Sequence, residues 1–206
     1  MPVVFIISAP SGSGKSTLVN RLMESDANLQ FSTSVTTRTP RTGEVDGEAY
    51  NFITKEEFVE LSENDELLEW AEVFGNYYGT SRAVLRQAEQ AGRDLILDID
   101  VQGASQLKEK LARAVSIFIL PPSRVELEKR LRNRSSDSDE VIDRRLSEAG
   151  REVSNYREYD YVLINDQLDE SFDRLRAILL AERCRTHRIE RAVKPILQGF
   201  EPVNEK

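Results

Sequence analysis

The chain holds a single cysteine, Cys184, among its 206 residues. No disulfide can form within it, and a reducing compartment, the cytoplasm, is the expected location. His187 lies near Cys184, but two ligands do not make a metal site and none is expected there. An excess of basic charge is also missing. With 28 Lys and Arg against 36 Asp and Glu the net charge is −8, which excludes a general nucleic-acid binder, because such proteins need a cationic face against the phosphate backbone. Any phosphate site must therefore be local. The opening MPVVFIISAPSG is far too short to span a bilayer and lacks a basic leader or a small-residue cleavage pattern, so no membrane partner is expected. Nor is there an internal repeat or a low-complexity linker, and the chain should move as one hinged unit.

What is present is an ordinary globular composition, 39% hydrophobic and 31% charged, in a length that suits one compact α/β domain with small inserted parts. Val3 to Ile7 is a continuous apolar, β-branched run of the kind buried on both faces of a parallel sheet, and it predicts a central strand. Leu95 to Leu97, Val115 to Leu120 and Tyr161 to Ile164 read alike, each followed by turn residues and a helical pattern, which is repeated βα order. Helix starts are marked by Thr54 with Glu57 as a capping box, by Ser81 with Gly92 as the stop, and by Ser123 after two prolines. A last helical pattern runs from Leu168 to near Arg188, and past Lys194-Pro195 the chain should fray.

Two stretches interrupt this rhythm. Residues 33–80 combine short β-prone pieces, turn pairs such as Asp46-Gly47 and several tyrosines, and predict an inserted substrate subdomain of mixed α/β structure. Residues 125–155 are dominated by arginines and carboxylates around Ser135-Ser136-Asp137-Ser138-Asp139, and predict a mobile helical cover rather than core. The core of a parallel sheet flanked by helices then comprises 1–32, 81–124 and 156–188. In the tail at 189–206, Ile189, Val193, Ile196, Leu197 and Phe200 can pack on the body or on a second subunit, so a homo-oligomer stays open.

Ala9-Pro10-Ser11-Gly12-Ser13-Gly14-Lys15-Ser16 follows the first strand directly and leads into the helical LVNRLM, the strand, loop and helix context of a P-loop NTPase. Its glycines let backbone N–H groups curl around the phosphate oxygens of ATP, and the helix N-terminus adds its dipole. Lys15 supplies a point charge between the β- and γ-phosphates. The Ser16 hydroxyl is suited to Mg²⁺, with Asp98 or Asp100 reaching the ion through water. Those two aspartates share a strand face by their spacing, although such a pair also suits capping of the next helix. Ala9 stands where the usual pattern has its first glycine, a departure that matters only if this position requires positive φ. The loop indicates a nucleotide without naming the reaction.

With that loop, Thr36-Thr37-Arg38-Thr39-Pro40-Arg41-Thr42-Gly43-Glu44 and Asp46-Gly47-Glu48-Ala49-Tyr50 closely resemble the GMP-binding signature of guanylate kinases. Glu69-Trp70-Ala71-Glu72, Gly75-Asn76-Tyr77-Tyr78-Gly79-Thr80 and Leu97-Asp98-Ile99-Asp100-Val101-Gln102-Gly103 follow in the family's order, and the resemblance covers Val3 to Arg183. It implies transfer of the γ-phosphoryl group of ATP to GMP with Mg²⁺ as cofactor, dGMP remaining an open second acceptor. Arg38 and Arg41 present guanidinium forks to the GMP phosphate, and Tyr50 and Tyr78 add hydroxyls. Tyr77, which points the other way along the strand, is expected in the subdomain core. Glu69 is the base reader, since a carboxylate only accepts and guanine offers adjacent N1–H and N2–H donors where adenine offers an acceptor. Ser34 and Thr80 would donate to guanine O6, Asp100 would accept from the exocyclic amine, and Asn165 would contact adenine.

Phosphoryl transfer needs in-line placement and positive charge on the moving group. Lys15 and the cover arginines Arg130, Arg134 and Arg145 are the candidates for that charge, with Arg144 open as the alternative to Arg145. Two rival readings remain at this point. A protein-recognition module of the same fold would lack Lys15, and a kinase for another small phosphate ester would lack the Glu69 base reader.

Overall fold

The computed structural model describes residues 2–41, 43–48, 50–73, 75–134 and 138–200, and the side chain of Arg134 lies outside that description. Strand β1 (Val4–Ser8) leads through a short loop to α1 (Lys15–Ser25) and β2 (Leu29–Phe31). Next come β3 (Val35–Thr36), β4 (Asn51–Phe52), α2 (Lys55–Glu63), β5 (Leu67–Val73) and β6 (Asn76–Ser81). The chain continues with α3 (Arg82–Ala91), β7 (Asp94–Asp98), α4 (Val101–Lys110), β8 (Val115–Leu120), α5 (Arg124–Arg134) and α6 (Asp139–Val153). A 3-10 turn at Ser154–Glu158, β9 (Tyr161–Ile164), α7 (Leu168–Arg183) and α8 (Thr186–Gln198) complete it.

The apolar run of β1 sits at the middle of a five-stranded parallel sheet in the order β2-β7-β1-β8-β9, with Phe5 opposite Ile96 on one side and Val115 on the other. Phe5, Ile6 and Ile7 are fully buried because helices cover both faces. Leu18, Val19 and Leu22 of α1 pack with Leu175 and Leu179 of α7 on one face, and Ala88, Ala104 and Leu107 of α3 and α4 pack on the other. Each such side chain contributes about 1.5–3 kcal/mol by leaving water. Strand β2, at the sheet edge, has no counterpart among the strands predicted from the apolar runs; three residues are too few to make a pattern.

A second sheet in the order β4-β3-β6-β5 stands beside the first. Its β3–β4 pair is parallel and the β3–β6 and β5–β6 pairs are antiparallel. Phe58 of α2 packs beneath it and stacks on Tyr77 at 5.2 Å between ring centroids, so Tyr77 belongs to this small core as strand alternation predicts. Helix α4 joins the two sheets: Gln106 Nε2 donates to the Trp70 carbonyl at 2.8 Å and Lys110 Nζ to the Leu68 carbonyl at 2.7 Å.

The predicted caps are formed. Thr54 and Glu57 make the reciprocal capping box, Ser81 accepts from the Ala83 N–H, Ser123 accepts from the Glu126 N–H, and Gly92 closes α3 with φ 67°. One expectation needs correction. The final helix is not continuous to Arg188; it breaks after Arg183, where Arg185 is extended with ψ 134°, and α8 runs through Pro195 to Gln198. Buried Glu182 accounts for the break: it accepts from the Tyr161 hydroxyl and from Arg185 Nε and pairs with Arg188 at 3.6 Å, which a residue six positions on in an unbroken helix would face away from. Proline removes one helical donor but leaves the bonds beyond it intact, so α8 does not end there. The segment 125–155 carries a small apolar cluster of its own, built from Leu127, Leu131, Ile142, Leu146 and Ala149.

Among the described residues no helix is long and apolar enough to cross a membrane.

Candidate active site

The loop at residues 9–14 leaves the C-terminal end of β1, where open parallel sheets gather their ligands. It is closed by the Ser13 N–H donating to the Pro10 carbonyl at 3.1 Å. Gly12 and Gly14 have φ of 88° and 91°, a region that penalises any side chain, and both lack space for one. A Cβ on Gly12 would lie 2.9 and 3.0 Å from the Leu131 and Leu127 methyls of α5; one on Gly14 would lie 2.3 Å from the Asn165 amide nitrogen. Ala9 is not among the residues with positive φ, so its departure from the usual glycine carries no strain.

Asn165, 5% exposed, donates from Nδ2 to the Ser13 carbonyl at 2.7 Å. Its own carbonyl accepts from Arg130 Nη1 at 3.0 Å, and Arg130 Nε donates to Glu126 at 3.0 Å. Arg145 of α6 reaches the loop, Nη2 donating to the Ser11 hydroxyl at 2.7 Å, while its neighbour Arg144 lies 3.9 Å from Glu148. Lys15 pairs with Asp98 at the end of β7 and donates to the Ile99 carbonyl at 3.3 Å. Ser16 is exposed on the first turn of α1. A cleft of about 550 Å³ opens over this loop, and Asp100, Glu148 and Glu152 complete its rim. Burial, together with nearby Asp100 and Glu148, pushes the Glu152 carboxyl up to about 7.

A second cleft, about 380 Å³, lies between the two sheets and is lined by Ser34, Arg38, Arg41, Tyr50, Glu69 and Tyr78. Arg38 is held by Glu44 at 2.8 Å and lies 5.3 Å over the Tyr50 ring; the Glu44 carboxyl is held below its ordinary range by that Arg38 bond and by the Arg41 N–H. Tyr50 and Tyr78 meet edge to face at 5.8 Å. At the far end Glu69 is 4% exposed and accepts from the Thr80 hydroxyl at 2.6 Å. Burial pushes its carboxyl up to about 7 against that hydrogen bond, and the Asp100 charge adds to the rise. Lys15, Val73 and Asp100 line both clefts, so the two open onto each other beside the lysine. The arrangement suits a reaction between two phosphate-bearing molecules, one on backbone and one on arginines.

A family model described as guanylate kinase matches residues 2–182. The chain belongs to the guanylate kinase family. The guanylate kinase of Geobacter sulfurreducens is 51% identical over 194 residues, spanning 94% of this chain and 96% of its own. That of Escherichia coli is 51% identical over 187 residues, covering 90% of each. A solved guanylate kinase structure from Anaplasma phagocytophilum superposes with a TM-score of 0.75 at 40% identity, covering 91% of this chain and 89% of that one.

Within this guanylate kinase fold the predicted residues fall into two groups. Loop residues 9–16 and all the predicted acceptor residues except Thr80 line one of the two clefts. Three of the predicted residues are engaged by partners within the protein. Thr80, fully buried, donates its hydroxyl proton to Glu69; Asp100 also caps α4, accepting from the Gly103 N–H at 2.8 Å; and Asn165 donates to the Ser13 carbonyl beneath the loop. Arg130 is directed at the Asn165 carbonyl, and the Arg134 side chain lies outside the described residues. Gly103, read in the sequence only as the end of a family motif, is where a Cβ would stand 2.5 Å from the Glu69 carboxylate, a closeness sequence reasoning missed. A glycine inside a helical pattern was the physical signal for it. It also missed Glu44 as the partner of Arg38 and Leu127 and Leu131 as the wall behind Gly12.

Proposed function

We propose that the chain transfers the γ-phosphoryl group of ATP to the 5′-phosphate of GMP, giving ADP and GDP, with the donor over residues 9–16 and the acceptor between the sheets. The observation that carries this reading is the meeting of the two clefts at Lys15. Backbone N–H groups at the start of α1 receive the donor phosphates, and Lys15 balances charge on the transferring group. Arg38, Arg41, Tyr50 and Tyr78 hold the acceptor phosphate, and Glu69 accepts from guanine N1–H and N2–H, with Thr80 fixing its carboxylate. Arg145 reaches the donor side from Ser11. Mg²⁺ fits the donor set, because Ser16, Asp98 and Asp100 offer only hard oxygen ligands and leave the remaining positions to phosphates and water. When bound it neutralises negative charge on the phosphate oxygens. The same proposal places the enzyme in cytoplasmic purine nucleotide metabolism.

The test is ADP formation in a coupled assay with ATP and Mg²⁺, comparing GMP with AMP, UMP and CMP and using Lys15→Met as control. Turnover confined to GMP and lost in the variant is expected. Folded protein with no activity toward any monophosphate would overturn the enzymatic reading, and preference for another acceptor would overturn the role of Glu69.

A further inference from the structure

Strand β5 is an edge of the second sheet, and its pairing with β6 slips at one place. Leu67 lies opposite Ser81 and Glu69 opposite Thr80, so Leu68 is an extra residue, a β-bulge. The bulge decides which way Glu69 faces. In an unbroken strand residues two apart share a face, and Glu69 would follow Leu67 onto the side where Leu67 packs with Phe58. Across the bulge it is Trp70 that takes that side, meeting the Phe58 ring edge to face at 6.2 Å. Leu68 joins Ala104 and Leu107 of α4 instead, and Glu69 lines the cleft.

Helix α4 holds this bulge from the side of the core sheet. Gly103, Gln106 and Lys110 are spaced three and four apart and so lie on one helix face. Lys110 Nζ donates to the carbonyl of the extra residue, Leu68, at 2.7 Å. Gln106 takes both backbone groups of Trp70, accepting from its N–H at 3.3 Å and donating to its carbonyl at 2.8 Å, as a further strand would at an open edge. The residues on either side of Glu69 are thereby tied to a helix that begins just past β7, where Asp98 pairs with Lys15. Gly103 leaves the place that Glu69 occupies, since a Cβ there would lie 2.5 Å from Oε2. We propose that this face of α4 is the positioning device of Glu69: Lys110 and Gln106 hold the bulge that aims the carboxylate into the cleft, and Gly103 gives it room against the helix.

The inference deepens the reading of Glu69 as the base reader and rests on it. Dissociation constants are measured for GMP and for ribose 5-phosphate, which shares the phosphate and lacks the base. The proteins compared are wild type, Lys110→Met, Gln106→Leu, Gly103→Ala, Glu69→Gln, and Lys110→Met combined with Glu69→Gln. A positioning role predicts GMP binding about tenfold weaker in each α4 variant, the scale of a buried group losing its partner. Ribose 5-phosphate binding and the KM for ATP stay unchanged, and Lys110→Met adds no further loss to Glu69→Gln. Equal weakening of both ligands, or losses that add in the double variant, would show that α4 merely supports the subdomain and would overturn the proposal. Gly103→Ala carries an independent sign, because alanine is the better helix former: Tm is expected to hold while GMP weakens, and unchanged GMP binding overturns the role of Gly103. A crystal structure of the Gln106→Leu, Lys110→Met protein should show the Glu69 carboxylate drawn away from the Thr80 hydroxyl, which it meets at 2.6 Å in the native chain. A carboxylate left in place overturns the proposal. If Glu69→Gln alone leaves GMP binding intact, the base-reading assignment has failed, and that crystal structure still decides the positioning.

Discussion

The loop at 9–16 presents backbone braced by buried neighbours, whereas the cleft between the sheets presents charged side chains already matched to partners of their own. On the donor side Asn165, Leu127 and Leu131 fill the space that side chains at Gly12 and Gly14 would need. On the acceptor side Arg38 is engaged by Glu44 and Glu69 by Thr80. A triphosphate chain is the same in every nucleotide and can be met by fixed N–H dipoles. A base must be told from other bases, and that takes an acceptor with a defined position and charge. The cost falls on Glu69, whose carboxylate is held where water is excluded.

If the donor side is rigid by steric design, Gly14→Ala should break it with the largest effect. Positive φ and contact with Asn165 together should lower kcat/KM for ATP about a hundredfold, near 3 kcal/mol, while calorimetric GMP affinity persists. Equal loss of both ligands would mean the halves are not separable. Glu69→Gln should act on the other side alone. Replacing an ionised acceptor costs about 1.5–3 kcal/mol, seen as a roughly ten- to hundredfold fall in kcat/KM for GMP with the KM for ATP unmoved.

The smallest effect is the pH dependence that Glu69 brings to the acceptor side. Glu69 keeps its proton up to about 7 in the folded chain against 4.5 ordinarily. Because the native state then binds the proton that the unfolded chain has released, stability relative to Glu69→Gln should fall as pH rises between those values. Thermal unfolding of the two proteins across that window measures it. GMP needs the ionised carboxylate, so its affinity relative to the same variant should rise toward pH about 7 and then level off. A flat ratio would show that Glu69 does not carry the recognition.

Much of the fold was legible because it depends on neighbours in sequence. The run Val3 to Ile7, the loop after it and the caps at Thr54, Ser81 and Ser123 are local patterns with local physical causes. The acceptor residues were reachable through the family's ordered motifs. What stayed hidden was set by distant partners. Asn165 meets Ser13 across 152 positions, and Lys110 meets Leu68 across 42. In α5 two leucines four apart are masked by seven charged residues, so the apolar cluster they join with α6 is not visible in the sequence. The break after Arg183 follows from what Glu182 touches, which no periodicity records.

Trp70, the only indole in the chain, is next to Glu69 on β5, 41% exposed and 5.7 Å from the Tyr77 ring. Emission excited at the red edge, where tyrosine does not absorb, therefore originates wholly within the acceptor sheet. The protein thus carries one indole that lights the second sheet alone, and the loop at 9–16, having no aromatic residue, contributes no light of its own.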